Sequence, residues 1–142
     1  MSRFAYVAIA FFFTGAALAI SASPIQKPAK PSAGITPELL EARRDAARTV
    51  FQQNLERLKA AELPFDERHV RWSERWLDAE LALHDKPADR IAALTANLER
   101  TQELEKLAAS RVRTGQGPEV DALAARYYCL QAEIRLLEAT RR

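Results

Sequence analysis

The 142-residue chain carries 21 lysine and arginine residues against 19 aspartate and glutamate residues, a formal net charge of +2. Acidic and basic residues alternate instead of forming a basic patch, which argues against nucleic acid as a partner. The chain has one cysteine, Cys129, so no internal disulfide can form and an apolar core must hold the fold. We expect Cys129 to be a small buried residue rather than a reactive thiol.

The first 23 residues have the pattern of an export signal. Arg3 provides a short positive start, residues 4–20 are uncharged and apolar, and small residues follow. This pattern predicts a signal peptide that is cleaved after Ala19 or Ser23. The alternative is an uncleaved anchor, because an apolar run of this length reaches the lower limit for spanning a bilayer. In both cases we expect the rest of the protein in the periplasm or cell envelope, touching a membrane only through this segment if it stays attached.

The rest of the chain is predicted to be a linker followed by one helical domain. Residues 24–35 are rich in proline, small polar residues and lysine, which predicts a flexible linker. Residues 36–142 show no segment with the period-2 alternation that a strand needs, so the fold class is all-α. Apolar periodicity, caps and breakers predict four helices, at 37–62, 66–84, 87–113 and 118–140.

The connections between these helices are short, which predicts two antiparallel helical hairpins. Pro37 suits a first helical position, and Asp66 suits the cap before the second helix. The turn between the last two helices is marked by Gly115, Gly117 and Pro118. The two hairpins can pack side by side as a four-helix bundle or extend end to end as an elongated coiled coil, and the sequence leaves both arrangements open.

The last predicted helix carries an apolar stripe. Its large apolar residues are spaced 3, 4, 3, 4 and 3 positions apart, which places them along one side of an α-helix. The apolar stripe consists of Val120, Leu123, Tyr127, Leu130, Ile134 and Leu137. Burying each large side chain is worth ~1.5–3 kcal/mol, so the pattern predicts a partner helix along the whole stripe. The stripe is therefore either a packing seam or a surface for protein interaction.

A second pattern in the same region consists of small and apolar residues at fixed distances from the turn. These residues are Gly115, Asp121, Leu123, Ala125, Ala132 and Leu136. Their spacing resembles the second helix of the hairpins in bacterial outer-membrane efflux channels of the TolC type. Cys129 and the Tyr127–Tyr128 pair depart from that pattern. The resemblance implies non-catalytic periplasmic helices that pack against sister helices and adaptor hairpins, while the membrane strands of such channels have no counterpart in this sequence.

Few residues in the chain are candidates for a ligand-binding, metal-binding or catalytic site. Trp72 and Trp76 lie one helical turn apart and would suit a ligand platform, although such a pair is more often part of a core. His69 and His84 are 15 positions apart and lack the spacing of metal ligands, so we predict no metal and no cofactor. Neither a nucleophile turn nor a phosphate-binding loop is present, so we predict no catalytic residue.

The sequence therefore favours a non-catalytic, exported helical-hairpin protein of the bacterial cell envelope. It would act by protein–protein contact, through self-association or with a protein partner, and the resemblance suggests a link to efflux machinery. The alternative hypothesis is a small periplasmic helical bundle that binds a metal or another ligand through Trp72, Trp76, His69 and His84.

Overall fold

A computed structural model describes residues 34–141, and α-helix is the only regular secondary structure within that range. The helices are α1 (Pro37–Lys59), α2 (Glu67–Leu83), α3 (Pro87–Arg113) and α4 (Glu119–Thr140). The all-α prediction is confirmed, and each helix begins and ends within three residues of its predicted limits. The predicted signal or anchor, and the linker up to residue 33, lie outside the described residues. None of the described helices combines the length and apolarity needed to cross a membrane.

The four helices form two hairpins that pack side by side. α1 packs on α2, α3 packs on α4, and α2 joins the hairpins by contacting both α3 and α4. The main apolar cluster takes residues from all four helices and from the segment before α2: Phe51, Leu55, Leu58, Phe65, Val70, Leu104, Ala108 and Ala125. A smaller cluster of Leu77, Ala93 and Leu94 lies between α2 and α3. The side-by-side bundle is therefore the arrangement adopted.

The start of α2 shows why this segment folds locally as predicted. The Asp66 carboxylate accepts a hydrogen bond of 2.8 Å from the Arg68 amide. In return, the Asp66 amide donates to Nδ1 of His69 at 3.2 Å, so the histidine completes a capping box in the place where glutamate or glutamine is usual. Phe65 and Val70 on either side of the cap are both buried, as expected for a hydrophobic staple.

The end of α3 is closed by a Schellman turn at the predicted glycine. The Gln116 amide donates to the Arg111 carbonyl at 2.8 Å, and the Gly115 amide donates to the Val112 carbonyl at 3.0 Å. Gly115 has a φ of 72°, in the left-handed region that favours glycine. Pro118 then directly precedes α4.

The end of α1 has the same turn, but with alanine at the left-handed position. The Glu62 amide donates to the Arg57 carbonyl at 2.9 Å, and the Ala61 amide donates to the Leu58 carbonyl at 3.1 Å. Ala61 has a φ of 57°. The predicted end at residue 62 was wrong because residues 60–62 form this capping turn instead of a last turn of helix.

The two turns predict opposite effects of exchanging glycine and alanine. A left-handed conformation costs a residue with a Cβ atom ~1–2 kcal/mol, and glycine avoids that cost. Glycine also raises the entropy of the unfolded chain, which lowers the stability of the folded protein by ~0.4–1 kcal/mol. We therefore expect Ala61→Gly to raise the free energy of unfolding by about 0.5–1 kcal/mol, and Gly115→Ala to lower it by a similar amount. Urea denaturation followed by circular dichroism measures both effects.

The matched control for this pair is Ala60→Gly, because Ala60 has an ordinary φ of −72°. Glycine there adds unfolded-state entropy without relieving strain, so a small loss of stability is expected. If Ala61→Gly destabilised the protein as much as Ala60→Gly does, the strain assigned to Ala61 would be refuted.

Candidate interaction surface

α4 packs on the rest of the bundle through small side chains. Its buried residues are Ala125, Cys129 and Ala132, and Ala139 packs against the smaller apolar cluster. The three alanines are seven positions apart, so they share one face and let α4 approach α3 closely. The thiol of Cys129 lies in this seam, where burial and the nearby Glu105 carboxylate raise its pKa. The prediction that Cys129 is a small buried residue is confirmed.

The apolar stripe lies on the outward face of α4. The exposed fractions of its six residues range from 41% for Leu130 to 64% for Val120. Only Ile35 and Leu39 are also exposed among the large apolar residues of the described part. The possibility that the stripe is a packing seam inside residues 34–141 is therefore wrong, because α4 turns its small residues inward and its large ones outward.

The stripe is large enough to indicate a contact site. Six large side chains that are each about half exposed present on the order of 500 Å² of apolar surface, and apolar patches of this size on soluble proteins are often functional. Tyr127 lies near the centre of the stripe, and its ring packs edge-on against Tyr128 at 5.3 Å. Tyr128 in turn packs against the main apolar cluster. The central aromatic side chain is thus supported from inside the bundle, as in interaction hot spots.

Polar and charged side chains border the stripe on both sides. One border contains Glu119, Arg126 and Glu133, and the other contains Gln131 and Glu138. Arg126 donates to the Glu105 carboxylate of α3 at 3.1 Å and is still 56% exposed. An apolar seam with charged flanks is the arrangement found along coiled-coil helices.

The two histidines lie at opposite ends of α2 and do not form one site. His69 is buried in the capping box and stacks on Phe65 with 5.7 Å between ring centroids. His84 follows the last residue of α2, and its backbone carbonyl accepts a hydrogen bond from Arg90. They are 15 positions apart, which corresponds to about 22 Å along a helix axis. Among the described residues, no group of three or more His, Cys, Asp and Glu side chains has a metal-binding arrangement.

The two tryptophans pack against the main apolar cluster. Trp76 lies 5.7 Å from the Phe51 ring, and the Arg100 guanidinium carbon lies 3.9 Å from the centre of its ring. Trp72 lies one turn earlier on α2, where the Arg75 guanidinium carbon is 4.5 Å from its ring centre. The pair therefore contributes to the interior, and its two rings face different neighbours.

A buried polar cluster between α2 and α3 was missed by sequence reasoning. The Ser73 hydroxyl donates to Asn97 Oδ1 at 2.9 Å, and Arg100 Nε donates to the Ser73 hydroxyl at 3.1 Å. The Glu80 carboxylate lies 3.9 Å from the guanidinium. Burial lowers the pKa of Arg100 to about 10, partly opposed by the Glu80 charge, so Arg100 is positively charged at neutral pH. The available signal was the presence of Ser73 and Asn97 on otherwise apolar helix faces.

Comparisons with known proteins leave the function to be inferred from this geometry. The chain matches no protein-family model, no curated protein and no solved structure. The resemblance to TolC-type hairpins therefore stays a prediction. The outward face of α4 is the feature of the described residues that most needs a functional explanation.

Proposed function

We propose that this protein is an exported, non-catalytic helical protein of the bacterial cell envelope that acts by protein–protein contact through the apolar stripe of α4. The observation that carries the proposal is the exposure of all six stripe residues at coiled-coil spacing. The export pattern in residues 1–23 supports the location. The resemblance to efflux-channel hairpins suggests that the partners are helical proteins of the envelope.

The energetics fit a surface that is covered by another helix. Removing about 500 Å² of apolar surface from water yields a gross gain on the order of 10 kcal/mol. Association itself costs about 4–15 kcal/mol in lost translational and rotational freedom, so the net result is a reversible contact instead of a permanent one. Left uncovered, a stripe of this size would promote non-specific association.

Photo-crosslinking in cells tests this proposal. A photoreactive amino acid is placed at Leu123 or Ile134 in the full chain, and control proteins carry it at Gln52 or Gln53, which are exposed polar positions on α1. We expect discrete adducts from the two α4 positions and none from the two controls. Absence of α4 adducts from a protein that is present in the envelope fraction would refute the interaction surface.

The location is tested separately by sequencing the amino terminus of the native protein. A mature chain that begins at Ile20 or Pro24 is expected if the signal is cleaved. A chain that begins at Met1 or Ser2 and is found in the cytoplasmic fraction would refute export and leave the contact surface as a separate question.

A further inference from the structure

The width of the stripe specifies how many helices can cover it. In heptad terms, Val120, Tyr127 and Ile134 occupy the a positions, and leucine occupies every d position. The stripe is confined to these positions, and polar or charged side chains border it on both sides, so it has the narrow width of a coiled-coil seam. One partner helix, and not a pair of helices, therefore fits this surface.

We propose that this partner helix is α4 of a second copy of the chain, packed antiparallel about a two-fold axis. This inference rests on the proposed function and names the partner for the same surface. A two-fold contact places one surface patch against itself, so the patch must be self-complementary. The apolar stripe meets that requirement in both its apolar layers and its flanking charges.

The apolar layers match when the helices run in opposite directions. Val120 of one copy faces Leu137 of the other, Leu123 faces Ile134, and Tyr127 faces Leu130. Each a residue therefore meets a leucine, and no layer contains a charged side chain. The two-fold axis passes between the paired Tyr127–Leu130 layers, which puts the supported aromatic rings at the centre of the contact.

The flanking charges decide the direction. In the antiparallel pairing, g positions face g positions, so Arg126 of each copy lies beside Glu133 of the other, and the opposite-charge pair occurs twice. In a parallel pairing, Glu133 would face Glu138 of the second copy, a like-charge contact. Arg126 already holds Glu105 of its own chain and is 56% exposed, so it can be shared between two carboxylates.

The size of the contact predicts a dimer that dissociates readily. Two stripes pressed together bury on the order of 1,000 Å² in total, which is the lower end of the range for specific interfaces. We therefore expect a dissociation constant in the micromolar range for the wild-type mature chain.

Disulfide trapping of the mature chain tests the partner and the direction together. In a Cys129→Ala background, Val120→Cys and Leu137→Cys are prepared as two separate proteins of different tag mass. The antiparallel contact brings these positions together across the interface, so a cross-linked dimer should form only when the two proteins are mixed. Gln52→Cys mixed with Leu137→Cys is the matched control and should give no cross-link.

Charge reversal gives a second measurement that separates the two directions. Glu133→Arg places a like charge beside Arg126 in the antiparallel dimer. We therefore expect sedimentation equilibrium to show a dissociation constant about tenfold larger than that of the wild type. In a parallel dimer the same change removes the repulsion from Glu138 and should strengthen binding. Combining Glu133→Arg with Arg126→Glu should restore antiparallel dimerisation.

Each outcome either supports or overturns the proposal. Cross-links confined to the mixture, with weaker binding by Glu133→Arg, support it. Cross-linking of each cysteine protein alone, or stronger binding by Glu133→Arg, would establish a parallel pairing and overturn it. A single-chain mass at every concentration would also overturn it, and cellular adducts at Leu123 with another mass would then retain the proposed function with a different partner.

Discussion

Replacing Arg100 with methionine is expected to lower the free energy of unfolding by about 2–3 kcal/mol. The guanidinium is nearly inaccessible to water, stacks on Trp76 and is the cation closest to the Glu80 carboxylate. Methionine fills a similar volume, so two polar contacts are the main losses: the Ser73 hydroxyl loses the hydrogen bond from Arg100 Nε, and the Glu80 carboxylate remains partly buried without a counter-charge. The expected loss of stability is smaller than for a fully buried ion pair because the Glu80 side chain is 19% exposed to solvent.

The double variant Arg100→Met/Glu80→Leu separates charge pairing from packing. Replacing both members of a buried ion pair with apolar side chains is often neutral or stabilising, so we expect stability within about 1 kcal/mol of the wild type. The two single variants and the double variant form a double-mutant cycle, measured by urea denaturation. A single Arg100→Met variant as stable as the wild type would show that the two charges are not coupled.

Enlarging a small buried residue of the α3–α4 seam should have a similarly large effect. Ala125 is 1% exposed and belongs to the main apolar cluster, so Ala125→Leu must push α4 away from α3 or force strained side-chain rotamers. Overpacking of this kind typically costs about 1–3 kcal/mol, and we expect the upper end here because the seam depends on close backbone approach.

The matched control for Ala125→Leu is Ala82→Leu on α2, where the alanine is exposed. Both changes exchange two good helix formers, so a difference between them reports packing and not helix propensity. Thermal unfolding at one protein concentration compares the two. Equal stability of both variants would refute the assignment of the alanine face as the inner face of α4.

The helices could be predicted because their limits depend on local chemistry. Pro37, the Asp66 cap and Gly115 act within one turn, and the structure has each of them in its expected role. The last turn of α1 was the exception, because alanine at position 61 gives no sign in sequence of a left-handed turn.

The orientation of α4 could not be predicted in the same way. Size alone favours burial of the leucines of the stripe, because each offers more apolar area than an alanine. The bundle instead buries Ala125 and Ala132, because their small side chains let the backbones of neighbouring helices come close and make many van der Waals contacts. Choosing between these faces requires the positions of α2 and α3, which belong to the tertiary structure and cannot be read from the sequence of α4. The polar cluster around Ser73 and Asn97 was missed for the same reason, since it depends on the register of α2 against α3.

The most direct test of the outward-facing stripe is the free energy of unfolding of the Leu123→Glu/Ile134→Glu variant. It is measured at a protein concentration at which the wild type sediments as a single chain. Because both side chains are more than half exposed, the variant should keep the wild-type helical signal and unfold within about 0.5 kcal/mol of the wild type. A loss of 3 kcal/mol or more, on the order expected for charges forced into a core, would show that the stripe is buried inside the chain and would contradict this account.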